Sequence, residues 1–181
     1  MKTENGEEET STQTEAHGSY TAPKGGRRYG STRNDCSWHG RDARVDRLDQ
    51  YVRDLRDAQP PNFAAYESNK MLRRYIERML HMAIDACLQI GIAILTQAGY
   101  RHPENYHDVF IVLGEHALLP ADQVDCMTAL VEFRNVLVYE PSTVDDAMVY
   151  GFAKKRLGDF ADFSAAVRKY LNQPDFISAE P

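Results

Sequence analysis

Residues 82–95, MAIDACLQIGIAIL, form the most apolar run of the chain, and this run decides the fold. Nearly every face of a helix with this sequence is apolar, and such a helix has to be surrounded by other structure. We therefore expect it either to run through the centre of a helical bundle or to face a second subunit. Because the run includes Asp85 and Gln89 and is too short to cross a bilayer, it predicts no membrane span.

Helical periodicity continues on both sides of this run. It predicts five helices, at about residues 42–58 and 62–97, from Pro103, from Pro120, and at about 144–171. Gly99 ends the second of them. The apolar residues predicted to face inward include Met71, Tyr75, Val109, Phe110, Met127, Phe133, Val138, Met148 and Phe160. About five helices with short connections predict an all-α, up-and-down bundle.

Length and composition limit the class of protein. The chain has 181 residues and a formal net charge of −6, which fits one globular domain and argues against broad, nonspecific nucleic-acid binding. Residues 1–40 are polar and charged, so we expect a disordered tail there, a helical domain over 41–173 and a C-terminal tail over 174–181. The acidic, polar N-terminus does not resemble a signal peptide.

The cysteines favour a reducing compartment. Cys36, Cys87 and Cys126 lie far apart and lack the spacing of metal ligands, which predicts free thiols in the cytoplasm. The sequence has no glycine-rich phosphate loop, Walker motif or zinc spacing. Neither a metal nor a cofactor is therefore predicted.

A second stretch, FRNVLVYEPSTVD at residues 133–145, has the composition of a site. Asn135 and Tyr139 are four residues apart and project from one face of a helix, with Arg134 beside them. An arginine, an amide and a phenol near a helix end can hold a phosphate, because a guanidinium donates two parallel hydrogen bonds. The same residues also suit a capping network between two helices, which is the commoner arrangement.

Further residues are candidates for supporting roles. Asp145 opens the helix that follows this stretch, and His107 is the first candidate for a base. Asp85 and Gln89 on the central helix have two interpretations. The favoured one is that they hydrogen-bond each other or a neighbouring helix, and the alternative is that Asp85 orients Arg134 across the bundle.

Four segments of the chain together resemble a known family. They are RRYIERMLHMAIDACLQIGIAIL at 73–95, GYRHPENYHDVFIVLGEHALLP at 99–120, FRNVLVYEP at 133–141 and VDDAMVY at 144–150. In combination they are similar to the HepT-like members of the HEPN superfamily, over about residues 42–171. The resemblance implies a helical bundle that forms a homodimer, with the site in a cleft between protomers. It also implies a ribonuclease toxin paired with an MntA-like nucleotidyltransferase antitoxin.

The family's catalytic motif is an arginine, four residues, a histidine, any residue and a tyrosine, and this chain matches it in part. Arg134 matches the arginine, while Asn135 and Asp145 match residues common beside it and downstream. Tyr139 stands in the position of the histidine. Pro141 stands in the position of the tyrosine that accepts AMP from the antitoxin, so Tyr139 becomes the candidate for modification here.

The resemblance leaves three functions open. The first is a HepT-like ribonuclease toxin of a type VII-like toxin–antitoxin pair, which cleaves RNA at the dimer cleft without a metal. The second is a catalytically inactive HEPN module that acts by dimerising and by binding a nucleotidyltransferase partner. The third is a structural helical dimer. Family membership favours the first function, and loss of the motif histidine favours the second, because a tyrosine is mostly protonated at pH 7 and makes a poor base.

Overall fold

The computed structural model describes residues 38–139 and 144–173, and these residues form seven helices and no strand. In chain order the helices are α1 (Trp38–Asp57), α2 (Phe63–Ser68), α3 (Lys70–Ala98), α4 (Tyr106–Glu115), α5 (Ala121–Tyr139), α6 (Asp146–Lys155) and α7 (Leu157–Leu171). The predicted all-α class is confirmed, whereas the predicted number of five helices is wrong. Residues 1–37, 140–143 and 174–181 lie outside the described part of the chain, so the predicted tails and domain limits stay predictions.

Two local breaks account for the two additional helices. Asn69 has an extended backbone (φ −109°, ψ 90°), and its side chain accepts a hydrogen bond from Leu72 N at 3.0 Å. It therefore ends α2 and caps α3, where periodicity predicted one continuous helix. Arg156 leaves the helical conformation between α6 and α7 (φ −109°, ψ 3°). Apolar spacing continues across both breaks, which is why periodicity alone missed them.

Helix α3 is the central element of the bundle, and it packs against each of the other six described helices. Its buried residues within the apolar run are Ala83, Ile84, Cys87, Leu88, Ile90, Gly91, Ile94 and Leu95. The first arrangement expected for this run, a helix through the bundle centre, is therefore confirmed. With 29 residues α3 is long and apolar enough to cross a membrane, but 61% of the relevant stretch is buried inside the bundle, as in the core helices of soluble proteins.

Two glycines fix the position and the end of α3. Gly91 allows α4 to approach closely, because a Cβ at this position would lie 2.7 Å from Val109 Cγ1. Gly99 ends the helix with a left-handed backbone (φ 68°), as predicted. The close approach places α4 beside the C-terminal part of α3.

The starts of the next two helices follow from their capping residues. Asn105 accepts a hydrogen bond from Asp108 N at 3.0 Å and caps α4, so the predicted start near Pro103 is wrong. Helix α5 begins directly after Pro120, as predicted. Both helices then direct apolar faces towards α3.

Several apolar residues that periodicity placed inside are exposed. Met71 is 79% exposed, Tyr75 44%, Met148 42% and Val138 37%, so the inward prediction is wrong for these four. These four residues recur at helical spacing, yet no other described helix covers their side chains. Because Met71 and Tyr75 lie one turn apart on α3, they form part of an uncovered apolar face.

Both cysteines in the described part of the chain are free thiols, as predicted. Cys87 is fully buried in the core and Cys126 is half-buried. Burial raises the pKa of the Cys87 thiol well above its ordinary value, so this residue behaves as a packing residue of the core.

Candidate functional site

Helix α5 brings Arg134 against the central helix α3. Arg134 Nε donates a hydrogen bond to Asp85 Oδ1 at 3.0 Å, and only 12% of the arginine side chain is exposed. The two residues are 49 positions apart in the sequence, so the tertiary fold creates this pair. Asp85 therefore orients Arg134 across the bundle, which was the less favoured of the two interpretations.

The surroundings of Arg134 keep its positive charge in place. Burial lowers the pKa of the guanidinium, but the hydrogen bond and charge of Asp85, followed by a hydrogen bond with Tyr139, outweigh that effect and raise the pKa above its ordinary value. Arg134 Nη1 is buried and has no hydrogen-bond partner within the described residues. A buried donor without a partner is costly, so the arginine retains capacity for one more acceptor.

Two tyrosines complete the surroundings of this arginine. Tyr106 begins α4, and Arg134 Cζ lies 5.3 Å from the centroid of its ring, which is a cation–π contact. Tyr139 ends α5 and is 70% exposed. The guanidinium thus lies among a carboxylate, an aromatic ring and an exposed phenol, an arrangement suited to holding an anionic oxygen near the end of α5.

Other residues predicted for the site do not join this cluster. Asn135 is half-buried beside Arg134, and within the described residues its side chain makes no contact with Asp85. Asp145 Oδ1 accepts a hydrogen bond from Ala147 N at 2.9 Å, and Asp145 so caps α6. Pro141 lies outside the described residues.

His107, the predicted substitute base, is half-buried on α4 next to Tyr106. Its Nε2 atom is buried and has no hydrogen-bond partner in the described segments. The neighbouring tyrosine contacts Arg134, whereas no described contact connects His107 with that arginine. The structure therefore gives no support to His107 as the base.

Sequence reasoning missed a histidine that does belong to the cluster. His81 precedes Asp85 by one turn of α3, and its Nε2 lies 3.1 Å from Asp85 Oδ2, with 23% of the side chain exposed. The geometry at Nε2 falls short of a directed hydrogen bond, so the two side chains are in close contact only. The spacing of four residues within HMAID was the available signal, because such residues share a helix face.

No group of three or more His, Cys, Asp or Glu side chains within residues 38–139 and 144–173 is arranged to hold a metal ion. In the cluster itself the one carboxylate, that of Asp85, is shared between Arg134 and His81. The cluster can therefore donate hydrogen bonds, stabilise negative charge and exchange protons.

Comparison with known proteins relates the chain to one family. A family model described as "Ribonuclease HepT-like" matches residues 48–167. The chain is also 24% identical over 96 residues to the protein called "Putative RNase YutE" of Bacillus subtilis (strain 168), a match that spans 53% of this chain and 67% of that protein.

Two solved structures share the fold at 17% sequence identity. The first is YutE of Bacillus subtilis, described as a cytosolic protein, with a TM-score of 0.65 over 74% of this chain and 89% of that chain. The second is the tri-AMPylated HEPN toxin of Shewanella oneidensis in complex with an MNT antitoxin, with a TM-score of 0.67 over 71% of this chain and 96% of that chain.

Proposed function

We propose, from the premise that this chain belongs to the HepT-like ribonuclease family, that it is a cytoplasmic ribonuclease toxin that cleaves RNA beside Arg134 without a metal. The observation that carries the proposal is the buried guanidinium, which Asp85 holds in place and which keeps an unused donor. Arg134 is also the catalytic residue of the family motif that the chain retains. An RNA phosphate is an acceptor that matches the unused donor.

Cleavage of RNA without a metal needs a base for the 2′-hydroxyl, an acid for the leaving oxygen and a group that stabilises charge on the phosphate. Arg134 serves the third purpose, because a guanidinium is always charged in proteins and Asp85 holds this one in place. Tyr139 lies within hydrogen-bonding reach of Arg134 and carries an exposed phenol. Since tyrosine side chains are mostly protonated at pH 7, Tyr139 serves as a proton donor to the leaving oxygen.

The outer face of α3 supports a homodimer with the site in its cleft. The residues of this outer stripe are Met71, Tyr75, Arg78, Met82, Asp85, Gln89 and Ile92, which alternate in steps of four and three. Two helices that pack side by side use this heptad spacing, and all seven residues are exposed or half-buried. A second copy on the outer stripe would lie over Asp85 and would close the Arg134 site.

We expect light scattering at micromolar concentration to give the mass of a dimer. Ile92→Arg should shift the mass towards a monomer, because it places a charge in the outer stripe, where Ile92 is 38% exposed. Ile111→Arg is the matched control, since Ile111 lies on α4 and is 43% exposed. A monomer mass for the unsubstituted chain would refute the dimer.

The proposed cleavage is tested by incubating the purified chain with labelled RNA, with and without EDTA. We expect the RNA to be cut at the same rate in both reactions. Loss of cleavage in EDTA would contradict the metal-independent chemistry. Absence of cleavage by a folded, dimeric protein would contradict the nuclease function itself.

We further propose an MntA-like nucleotidyltransferase as partner, with Tyr139 as the AMP acceptor. The support is the 70% exposure of Tyr139 and its place in the motif, together with the AMPylated HEPN toxin among the structural relatives. After co-expression with such a partner, peptide mapping should find AMP on Tyr139. Tyr139→Phe should abolish the modification and Tyr75→Phe should not, and AMP on a residue outside 134–145 would refute the assignment.

An inactive HEPN module that acts by binding its partner is the second candidate function. Tyr139 in the position of the motif histidine is the observation that favours it, because the usual proton acceptor is replaced. This candidate predicts a stable complex with the nucleotidyltransferase and no cleavage of RNA under any condition. The RNA incubation described above therefore separates the two functions.

A further inference from the structure

We infer that His81 accepts the proton of the RNA 2′-hydroxyl in place of the histidine that the motif lacks, and that Asp85 holds it for this purpose. The inference rests on the proposed ribonuclease function and assigns one more residue to the same site. Its basis is a continuous chain of contacts that runs from His81 through Asp85 to Arg134 and on to Tyr139.

Asp85 is the link in this chain of contacts. Its Oδ1 accepts the hydrogen bond from Arg134 Nε at 3.0 Å, and its Oδ2 lies 3.1 Å from His81 Nε2. One carboxylate thus holds the group that stabilises the phosphate and an imidazole that can exchange a proton. In the structure this contact is a close approach without a directed hydrogen bond. Once Asp85 accepts a hydrogen bond from His81 Nε2, it fixes the ring and leaves the other ring nitrogen for the substrate.

His81 is also placed where a substrate can reach it. Its side chain is 23% exposed, whereas that of Arg134 is 12% exposed. His81 lies one turn from Asp85, next to Met82 of the outer stripe, so it borders the proposed cleft between protomers. A group at such a border can touch an RNA strand without displacement of the core.

The other histidines with described side chains are placed elsewhere. His107 lies on α4, and no contact within the described residues links it to Arg134 or Asp85. The ring of His116 is stacked on Tyr100, with centroids 3.5 Å apart. His102 is exposed in the connection between α3 and α4. Of the histidines with described side chains, only His81 shares a carboxylate, that of Asp85, with Arg134.

The proposed step balances in atoms and charge. The 2′-hydroxyl gives its proton to the free nitrogen of His81, and the 2′-oxygen forms a bond to phosphorus. The bond between phosphorus and the 5′-oxygen breaks, and that oxygen takes the phenolic proton of Tyr139. Arg134 stabilises the phosphoryl oxygens and then the phenolate, which regains a proton from His81 through water. The products are a 2′,3′-cyclic phosphate and a 5′-hydroxyl.

A purely structural role is the alternative for His81, because histidine and aspartate four residues apart often form a local pair on a helix. The two roles differ in their response to a small external base. A cavity left by His81→Ala can admit imidazole, which replaces a missing proton acceptor and does nothing for a missing structural contact. His102→Ala is the matched control, since it removes an exposed histidine outside the cluster.

The test measures cleavage of labelled RNA by the full chain and by the His81→Ala, His102→Ala and Arg134→Ala variants, with and without added imidazole. We expect His81→Ala to cleave RNA on the order of a hundredfold or more slowly than the unsubstituted chain. Added imidazole should then raise the rate of His81→Ala at least about tenfold. His102→Ala should match the unsubstituted chain, and imidazole should restore nothing to Arg134→Ala. His81→Gln repeats the rate measurement if the alanine variant does not fold.

Each result has a defined meaning for the two proposals. If the unsubstituted chain cuts RNA and Arg134→Ala does not, while His81→Ala and His81→Gln keep their activity, then the role of His81 fails and the ribonuclease function stands. A folded His81→Ala that is inactive and does not respond to imidazole also overturns the role of His81. If the unsubstituted chain does not cut RNA, both proposals fail together.

Discussion

Arg101 and Arg134 each contact carboxylates, but they use the guanidinium in different ways, and the difference separates a structural clamp from a site. Arg101, in the connection between α3 and α4, donates to both carboxylate oxygens of Asp108 and to both of Glu115, at 2.6 to 2.9 Å. All three of its nitrogen atoms have partners. Arg134 donates from Nε to one carboxylate, and its Nη1 is buried without a partner in the described segments.

Exposure makes the difference sharper. The Arg101 side chain is 43% exposed and could rely on water, yet it is fully engaged by protein groups. The Arg134 side chain is 12% exposed and has little access to water, yet it is only partly engaged. Buried polar groups in folded proteins nearly always have partners. Seven buried side-chain atoms of the described residues have no partner, and Arg134 Nη1 is the one that belongs to a retained catalytic residue of the family motif. An acceptor such as a phosphate would satisfy it.

The largest effect is expected from removing the arginine of each cluster in turn. Arg134→Ala should lower RNA cleavage on the order of a hundredfold or more, because it removes the group that stabilises charge on the phosphate. Arg101→Ala should leave the rate per folded molecule unchanged and lower the melting temperature, because that residue holds the connection between α3 and α4 against α4. Labelled-RNA assays with parallel melting curves check both. Equal loss of cleavage in the two variants would erase the distinction between the clusters.

A second prediction concerns Tyr139, which belongs to the Arg134 cluster alone. Tyr139→His restores the side chain of the family motif and supplies an imidazole suited to proton transfer at neutral pH. We expect cleavage to rise on the order of tenfold, and growth inhibition on expression to rise with it. Tyr139→Phe should lower cleavage, since it removes only the hydroxyl. A folded, dimeric Tyr139→His variant without cleavage would favour the inactive-module function.

The sequence predicted the fold better than the site, for physical reasons that particular residues make clear. The central position of α3 followed from an apolar surface on nearly every face, a property that neighbouring residues alone determine. The outward position of Met71 and Tyr75 did not follow, because an apolar residue at helical spacing can face a core or a partner alike. The pairing of Asp85 with Arg134 depends on how α3 and α5 pack, which spacing along one helix cannot give.

The candidate site shows the same limit at the level of single residues. Arg134 and Tyr139 were identified from a contiguous motif at one helix end, and the structure does bring them together. His81 was missed because its relevance depends on a carboxylate that Arg134 shares from another helix. Asp145 was matched to the family pattern, and the structure gives it the local role of an α6 cap.

The smallest effect is expected at the structural clamp, where pH provides the test. The hydrogen bonds from Arg101 lower the pKa of Asp108; burial opposes this, and the Glu104 N–H assists it. A carboxyl group whose pKa is lower in the folded state stabilises the fold above its unfolded pKa of about 3.9. That stabilisation is lost as the pH falls through the lowered folded value.

Asp108→Asn should therefore lower the free energy of unfolding by about 1–2 kcal/mol at pH 7, a few degrees of melting temperature, because it removes a charged acceptor whose side chain is 12% exposed. The gap between this variant and the unsubstituted chain should narrow as the pH falls below about 4, since protonation of Asp108 then has the same effect as the substitution. Glu115→Gln is the control, because it removes the charge of the other carboxylate that Arg101 contacts. Its effect on the free energy of unfolding should be smaller, since the Glu115 side chain is 46% exposed. RNA cleavage per folded molecule should not change in either variant. If Asp108→Asn instead lowered cleavage and left melting unaltered, the Arg101 cluster would belong to the site, and unsatisfied donors would no longer distinguish the two arginines.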